Sequence, residues 1–263
     1  MEFNLAKSQW EQKYNKKLDP LFSGCLVIGN APTVLLNEWG SLVDNFECVI
    51  RLNSYKIKGY ENYIGTKTNI WARAKNYEIA FRDGTKFEEV WLKDGWNRTN
   101  RDSKVYKFTG PPVINYEKSN VKIMKERQLV RKIDGRNCNV TTGFLAILVA
   151  IEKFQNDNKP VTTYGFNFFG GNDKVDCKRP HYYREEPPSL YGGFKKPFNT
   201  WMHHPIEEER EYALNLYKQG KINLLFEEEV LNTSSLDLSH LDETILKEPD
   251  HLVNIPESLR VKY

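Results

Sequence analysis

The chain has 263 residues, enough for one large α/β domain or two small ones with a substantial core. Hydrophobic residues make up 40% and charged residues 28%, the balance of a soluble globular chain, and no run of about 18 apolar residues marks a transmembrane helix. A net charge of +3 is too small for a nucleic-acid binder, yet it suits an anionic substrate or peripheral contact with an anionic lipid surface.

The first 18 residues read as a polar, mostly helical arm without the apolar centre of a signal peptide. "CLVIGN" (25–30) is a continuous apolar run closed by Gly-Asn, the pattern of a strand buried on both faces. "ECVIRLN" (47–53) repeats it, and "TNIWAR" (68–73), "EEVWLK" (88–93) and "SKVYKF" (103–108) follow as further strands. Residues 119–133 read as a helix with Val121, Met124, Leu129 and Ile133 apolar. "TTGFLAILVAIEKF" (141–154) is a helix apolar on nearly all sides, and "PVTTYGF" (160–166) is the strand after it. The helix at 205–220 starts on Pro and ends on Gly, and "KINLLF" (221–226) closes the series as a strand. This alternation predicts an α/β fold with a mainly parallel sheet and helices on both faces. The domain is expected over residues 1–230, with 231–263 as a C-terminal tail carrying His240 and His251 on its surface.

The four cysteines, Cys25, Cys48, Cys138 and Cys177, are irregularly spaced and form no CxxC. They read as free thiols in a reducing compartment, which with the signal-free start predicts a cytosolic protein or one on the inner face of a membrane.

Four stretches carry chemistry, and each also has a plain structural reading. Gly29-Asn30 places backbone amides and an amide side chain at the carboxyl edge of the sheet, where α/β proteins bind ligands, but it is also an ordinary turn. The pattern is not GxGxxG, which disfavours a dinucleotide site. "RLN" (51–53) puts Asn53 at the same edge, and "GTKT" (65–68) reads as a turn into the next strand. Thr141 or Thr142 caps the buried helix, and Gly143 opens its free amides to a phosphate or carboxylate. Three of the five histidines, His181, His203 and His204, fall within 24 residues, around a Gly/Pro/Lys-rich segment that reads as a loop over a site. Imidazole suits proton transfer to or from a sugar hydroxyl. A zinc set of Cys177, His181, His203 and His204 has only weak spacing in its favour. The acids at 207–209 also suit the first turn of a helix by its dipole.

Together and in this order, these stretches resemble glycosyltransferase family 29, the sialyltransferases. "CLVIGNAP", "DNFECVIRLN" and "GTKT" (25–68) are similar to the family's long sialylmotif, and "TTGFLAILVAI…VTTYGF" (141–166) to its short one. "HYY" (181–183) resembles the His-aromatic-Tyr motif, and His204 to Glu209 the His-x4-Glu motif. The resemblance implies a Rossmann-like variant GT-A fold and a metal-independent, inverting transfer of a sialic acid-type sugar from a CMP-sugar to a hydroxyl of a glycan or lipid-linked glycan. It implies no cofactor beyond the donor substrate. Carried over by position, His204 is the base, Glu209 supports it or the helix start, and His181 faces the departing phosphate. Gly29, Asn30, Asn53, Thr141, Thr142, Gly143, Gly165 and Tyr183 are the donor-binding set. Without a membrane anchor, the chain resembles a bacterial or viral enzyme of glycan assembly, lipopolysaccharide included. Cys25 matches one half of the family disulfide, but its partner position falls near Phe154, so no such bond is expected. "GNAP" stands where the family more often has Gly-Asn-Ser. A CMP-Kdo-dependent Kdo transferase and an inactive glycan-binding module are the competing readings.

Overall fold

A computed structural model describes residues 1–53, 55–74, 87–94, 120–125, 132–133, 136–137, 140–168, 206–232 and 236. Seven parallel strands form one sheet: β1 (Cys25–Ile28), β2 (Cys48–Leu52), β3 (Ile70–Ala74), β4 (Glu89–Asp94), β5 (Asn120–Lys125), β8 (Val161–Tyr164) and β9 (Asn223–Leu224), in the order β5-β4-β3-β2-β1-β8-β9. A separate two-stranded ribbon pairs β6 (Lys132–Ile133) with β7 (Arg136–Asn137) in antiparallel fashion. The helices are α1 (Phe3–Tyr14), α2 (Asp19–Phe22), α3 (Gly40–Asn45), α4 (Glu61–Ile64), α5 (Thr142–Gln155), α6 (Ile206–Lys218) and α7 (Glu228–Leu231), with a 3-10 turn at Pro32–Leu36.

The apolar runs of β1 and β2 follow from burial on both faces, because successive side chains of a strand point to opposite sides. Cys25 and Val27, with Cys48, Ile50 and Leu52, join a core beneath α5 and α6 that includes Phe144, Ile147, Ala150, Ala213 and Leu216. Leu26, Ile28 and Val49 face the other way, into a core with Trp10, Val34, Leu42, Phe46 and Ile64 from α1, the 3-10 turn, α3 and α4. The expected parallel sheet with helices on both faces is therefore what the chain adopts. The N-terminal arm is helical as read, and it is docked. Ala6 and Trp10 are buried, and the Trp10 indole Nε1 donates to the Leu225 carbonyl at 2.7 Å.

Residues 119–133 are a correction. In place of a helix they contain β5 and β6. Val121, Met124, Leu129 and Ile133 give a helical spacing, but Val121 and Ile123 are β-branched and two apart, the period of a strand. The free edge of β4 decides the matter by pairing with all six residues of β5, from Glu89↔Asn120 to Asp94↔Lys125. The expected strand at 103–108 lies outside the described residues. At the other end, α7 runs across the expected boundary at 230/231, while residues 237–263 lie outside the described set. Among the described residues, no helix is long and apolar enough to cross a membrane.

Candidate active site at the sheet switch point

The sheet order reverses between β1 and β8, so β2 lies to one side of β1 and β9 to the far side of β8. The segment leaving β1 runs into the 3-10 turn and α3 on one face, and the chain that follows β8 returns as α6 on the other. Two segments that diverge from adjacent strand ends leave a crevice at the carboxyl edge, the usual ligand position in an open α/β sheet.

Gly29 and Gly165 form the floor of this crevice by packing backbone on backbone. A Cβ on Gly29 would sit 2.1 Å from the Gly165 carbonyl oxygen, and Gly165 has a φ of 77°. Their polar groups are used within the protein: the Gly29 amide donates to the Tyr164 carbonyl at 2.7 Å, and the Gly165 carbonyl accepts from Ala31 at 3.1 Å. Asn30 stands on the wall. Its Nδ2 donates to the Leu52 carbonyl at 3.2 Å, which ties the end of β1 to the end of β2, while its Oδ1 is buried with no hydrogen-bond partner among the described residues. Asn53 follows β2 in the left-handed region, with a φ of 47°. Its amide donates to the Ala72 carbonyl at 2.9 Å and its carbonyl accepts from the Trp71 indole at 2.8 Å.

Helix α5 presents its N-terminus here. Thr141 is the cap, as one of the two expected threonines: its Oγ1 accepts from the Phe144 amide at 3.1 Å. Among the described residues, no group accepts from the amides of Thr142 and Gly143, the first two of the helix. Gly143 is needed for space. A Cβ there would meet the Phe166 ring at 2.8 Å and the Leu52 Cδ1 at 3.0 Å. Leu52 thus touches both sides of the site, holding Asn30 through its carbonyl and α5 through its side chain.

Glu209 lies on α6 and is 2% exposed. Its carboxylate accepts from the Thr141 amide at 2.6 Å and from Thr141 Oγ1 at 2.7 Å. Buried Lys93, from the end of β4, donates to the neighbouring Val140 carbonyl. The α5 N-terminus is therefore gripped by an acid from one helix and a cation from the sheet. Burial pushes the Glu209 carboxyl up to about 7, opposed by the Thr141 hydrogen bonds and the Lys93 charge.

A second buried glutamate was not among the residues singled out from sequence. Glu229 on α7 is fully buried, and its Oε2 accepts from Thr33 Oγ1 at 2.8 Å and from the Gly165 amide at 3.0 Å. Burial pushes its carboxyl up to about 8, against the hydrogen bonds from Thr33, Phe166 and Gly165. In sequence it stands in "FEEEV", which reads as a solvated acidic run, and only the following Val230 hints at burial.

"GTKT" is the turn it was read as, held from two sides. Asp44 accepts from the Thr66 amide at 2.7 Å and the Lys67 amide at 2.8 Å, while buried Arg51 donates to the Ile64 carbonyl at 2.6 Å. His181, Tyr183, His203 and His204 lie outside the described residues, as do Cys138 and Cys177. Cys25 and Cys48 are buried free thiols in register across β1 and β2. Among the described residues, no group of three or more His, Cys, Asp or Glu is arranged to hold a metal ion.

Residues 3–77, α1 through β3, match the family model of glycosyltransferase family 29 (sialyltransferase). The family 29 match therefore includes Gly29, Asn30 and Asn53 at the crevice. Beta-1,6-galactosyltransferase GALT29A of Arabidopsis thaliana is 45% identical over 49 residues, 19% of this chain and 12% of that protein. Human alpha-N-acetylgalactosaminide alpha-2,6-sialyltransferase 1 is 25% identical over 240 residues, 76% of this chain and 37% of that protein. The chain thus matches only 12% and 37% of the length of these two relatives. A solved mammalian sialyltransferase in complex with Gal-beta-1-3GalNAc-ortho-nitrophenol is 18% identical, with a TM-score of 0.48 over 85% of this chain and 86% of that one.

Proposed function

We propose that the chain is a glycosyltransferase of family 29 that moves a sialic acid-type sugar from a CMP-sugar donor to a glycan hydroxyl, with inversion and without a metal ion. The observation that carries this reading is where the family 29 match falls: its Gly29-Asn30 and Asn53 stand at the ends of β1 and β2, beside the switch point of the sheet. The uncommitted amides of Thr142 and Gly143 supply the other half of a nucleotide phosphate site, since a helix N-terminus attracts anions. The buried Oδ1 of Asn30 is an acceptor suited to a ribose hydroxyl or a base amino group.

In the proposed reaction the acceptor hydroxyl oxygen attacks the anomeric carbon as the bond from that carbon to the CMP phosphate oxygen breaks. His204 takes the hydroxyl proton, and CMP leaves with the electron pair. His181 and the α5 amides stabilise charge growing on the phosphate, and Tyr183 contacts the donor. The free thiols of Cys25 and Cys48 suit a reducing compartment, and the reading includes a cytosolic or inner-face location.

A second donor deserves an arm in the assay, because the Arabidopsis relative is named a galactosyltransferase. Purified protein is incubated with CMP-Neu5Ac, CMP-Kdo or UDP-galactose and a panel of glycan and lipid-linked acceptors, and free nucleotide is measured. The proposal expects acceptor-dependent release of CMP from CMP-Neu5Ac, unaffected by EDTA. Release from CMP-Kdo or UDP-galactose alone would move the donor assignment. Glycan binding without nucleotide release from any donor would leave a binding module.

A further inference from the structure

We infer that Glu229 is a positioning residue for the donor crevice, one that reaches the donor only through the backbone it holds. The inference rests on the donor reading above. Glu229 is placed on α7, after the last strand, yet its carboxylate ties together the two segments that diverge from the switch point. Thr33 Oγ1 donates to it from the turn after β1, at 2.8 Å, and the Gly165 amide donates from the end of β8, at 3.0 Å. The Phe166 amide adds a third hydrogen bond.

Each tie leads to the crevice. Thr33 lies three residues beyond Asn30, in the turn that begins at Pro32. The Gly165 peptide interlocks with Gly29, and the Phe166 ring covers Gly143 at the α5 N-terminus. Consecutive amides next to a left-handed glycine form a concavity that attracts anions. Here Glu229 fills it from inside the protein, which directs the donor phosphate to the α5 amides instead. The residue before it is anchored in turn: the Tyr14 hydroxyl donates to Glu228 at 2.6 Å and Lys13 pairs with Glu228 at 2.9 Å. A fully buried acid spanning both crevice walls is a costly element for a mere surface turn, and no donor or acceptor atom needs to touch it.

The test uses the full chain with Glu229→Ala, Glu229→Gln and Thr33→Val, read by calorimetric CMP binding and by steady-state kinetics. Glu229→Ala should raise the donor KM and the CMP Kd about 10-fold or more, with kcat within about 3-fold. Gln keeps an oxygen for the Gly165 and Phe166 amides, so Glu229→Gln should restore most of the binding. Thr33→Val keeps the shape of the side chain and removes one tie. It should raise KM about 5-fold and lower the melting midpoint by only the few degrees that one lost buried hydrogen bond costs, and it decides the matter if Glu229→Ala does not fold. Unaltered KM and Kd in variants that fold would overturn the inference and leave the donor reading standing. Wild-type protein that binds no CMP would overturn both.

Discussion

Glu209 on α6 and Thr141 at the cap of α5 share two hydrogen bonds, of 2.6 and 2.7 Å, so one carboxylate holds the helix N-terminus through both the amide and the hydroxyl of its cap. The hydroxyl also caps Phe144. Thr141→Val removes the cap, worth about 1 kcal/mol, and leaves a buried carboxylate short of a donor, worth about 1–3 kcal/mol. Urea unfolding should therefore show a loss of about 2–4 kcal/mol. Thr142→Val, one residue on, should change stability far less, since among the described residues the helix start is capped by the Thr141 hydroxyl and not by that of Thr142.

The two buried glutamates set a pH dependence whose sign is opposite to that of an ion-paired acid. Their carboxyls lie at about 7 and about 8 in the folded chain, against 4.5 ordinarily. Between those values the folded state holds protons that the unfolded state has released. Stability from these groups is complete below about pH 4.5 and is lost as pH rises through 7 and 8. The melting midpoint should fall steadily between pH 5 and 8 as these two carboxyls lose their protons. The double variant Glu209→Gln, Glu229→Gln should flatten that slope, which separates these acids from every other titrating group. An unchanged slope in the double variant would show that other groups cause it.

Gly29 and Gly220 separate crowding from backbone conformation. A Cβ on Gly29 would lie 2.1 Å from the Gly165 carbonyl oxygen, a backbone atom that cannot move without parting β1 from β8. Gly220 has a φ of 67° with nothing within 4 Å of its Cβ position. Gly220→Ala should destabilise by about 1–2 kcal/mol, the left-handed penalty alone. Gly29→Ala should lose about 3 kcal/mol or more and weaken CMP binding as the crevice floor shifts. Equal losses in thermal unfolding would refute the crowding.

Strand β1 is legible in the sequence as an unbroken apolar run because both its faces are covered, β2 as such a run broken only by Arg51, and β8 by its β-branched Val-Thr-Thr before Tyr164. The cap of α5 is legible from Thr-Thr-Gly before a buried helix. Strand β5 is not, because a short segment with Lys122 and Lys125 three positions apart does not alternate cleanly, and it acquires its structure from the partner edge rather than its own pattern. The supports of the site are hidden for a related reason. Glu229 and Lys93 are buried and Asp44 half-buried, and each is held by partners 22 to 196 positions away, the longest being Thr33 with Glu229. Local spacing carries no trace of such contacts. Glu209 is marked in the sequence only by its spacing from His204, and its observed partner is Thr141.

That spacing leaves one decisive test of the chemistry. His204 stands two residues before α6 begins at Ile206, with Pro205 between them, and Glu209 anchors the first turn of that helix to α5. The same contact holds the amides of Thr142 and Gly143, which form the phosphate site in the proposed reaction. His204→Ala should lower kcat by about 100-fold or more, with CMP affinity within about 3-fold, because the base acts on the acceptor and not on the nucleotide. His203→Ala should keep most of the turnover. Glu209→Gln should weaken both CMP binding and turnover, since the helix start carries the amides proposed to bind the phosphate. If His203→Ala and His204→Ala exchange these outcomes, the base is one residue earlier. If both retain turnover, proton removal belongs to another group, and His181→Ala is the next variant to measure.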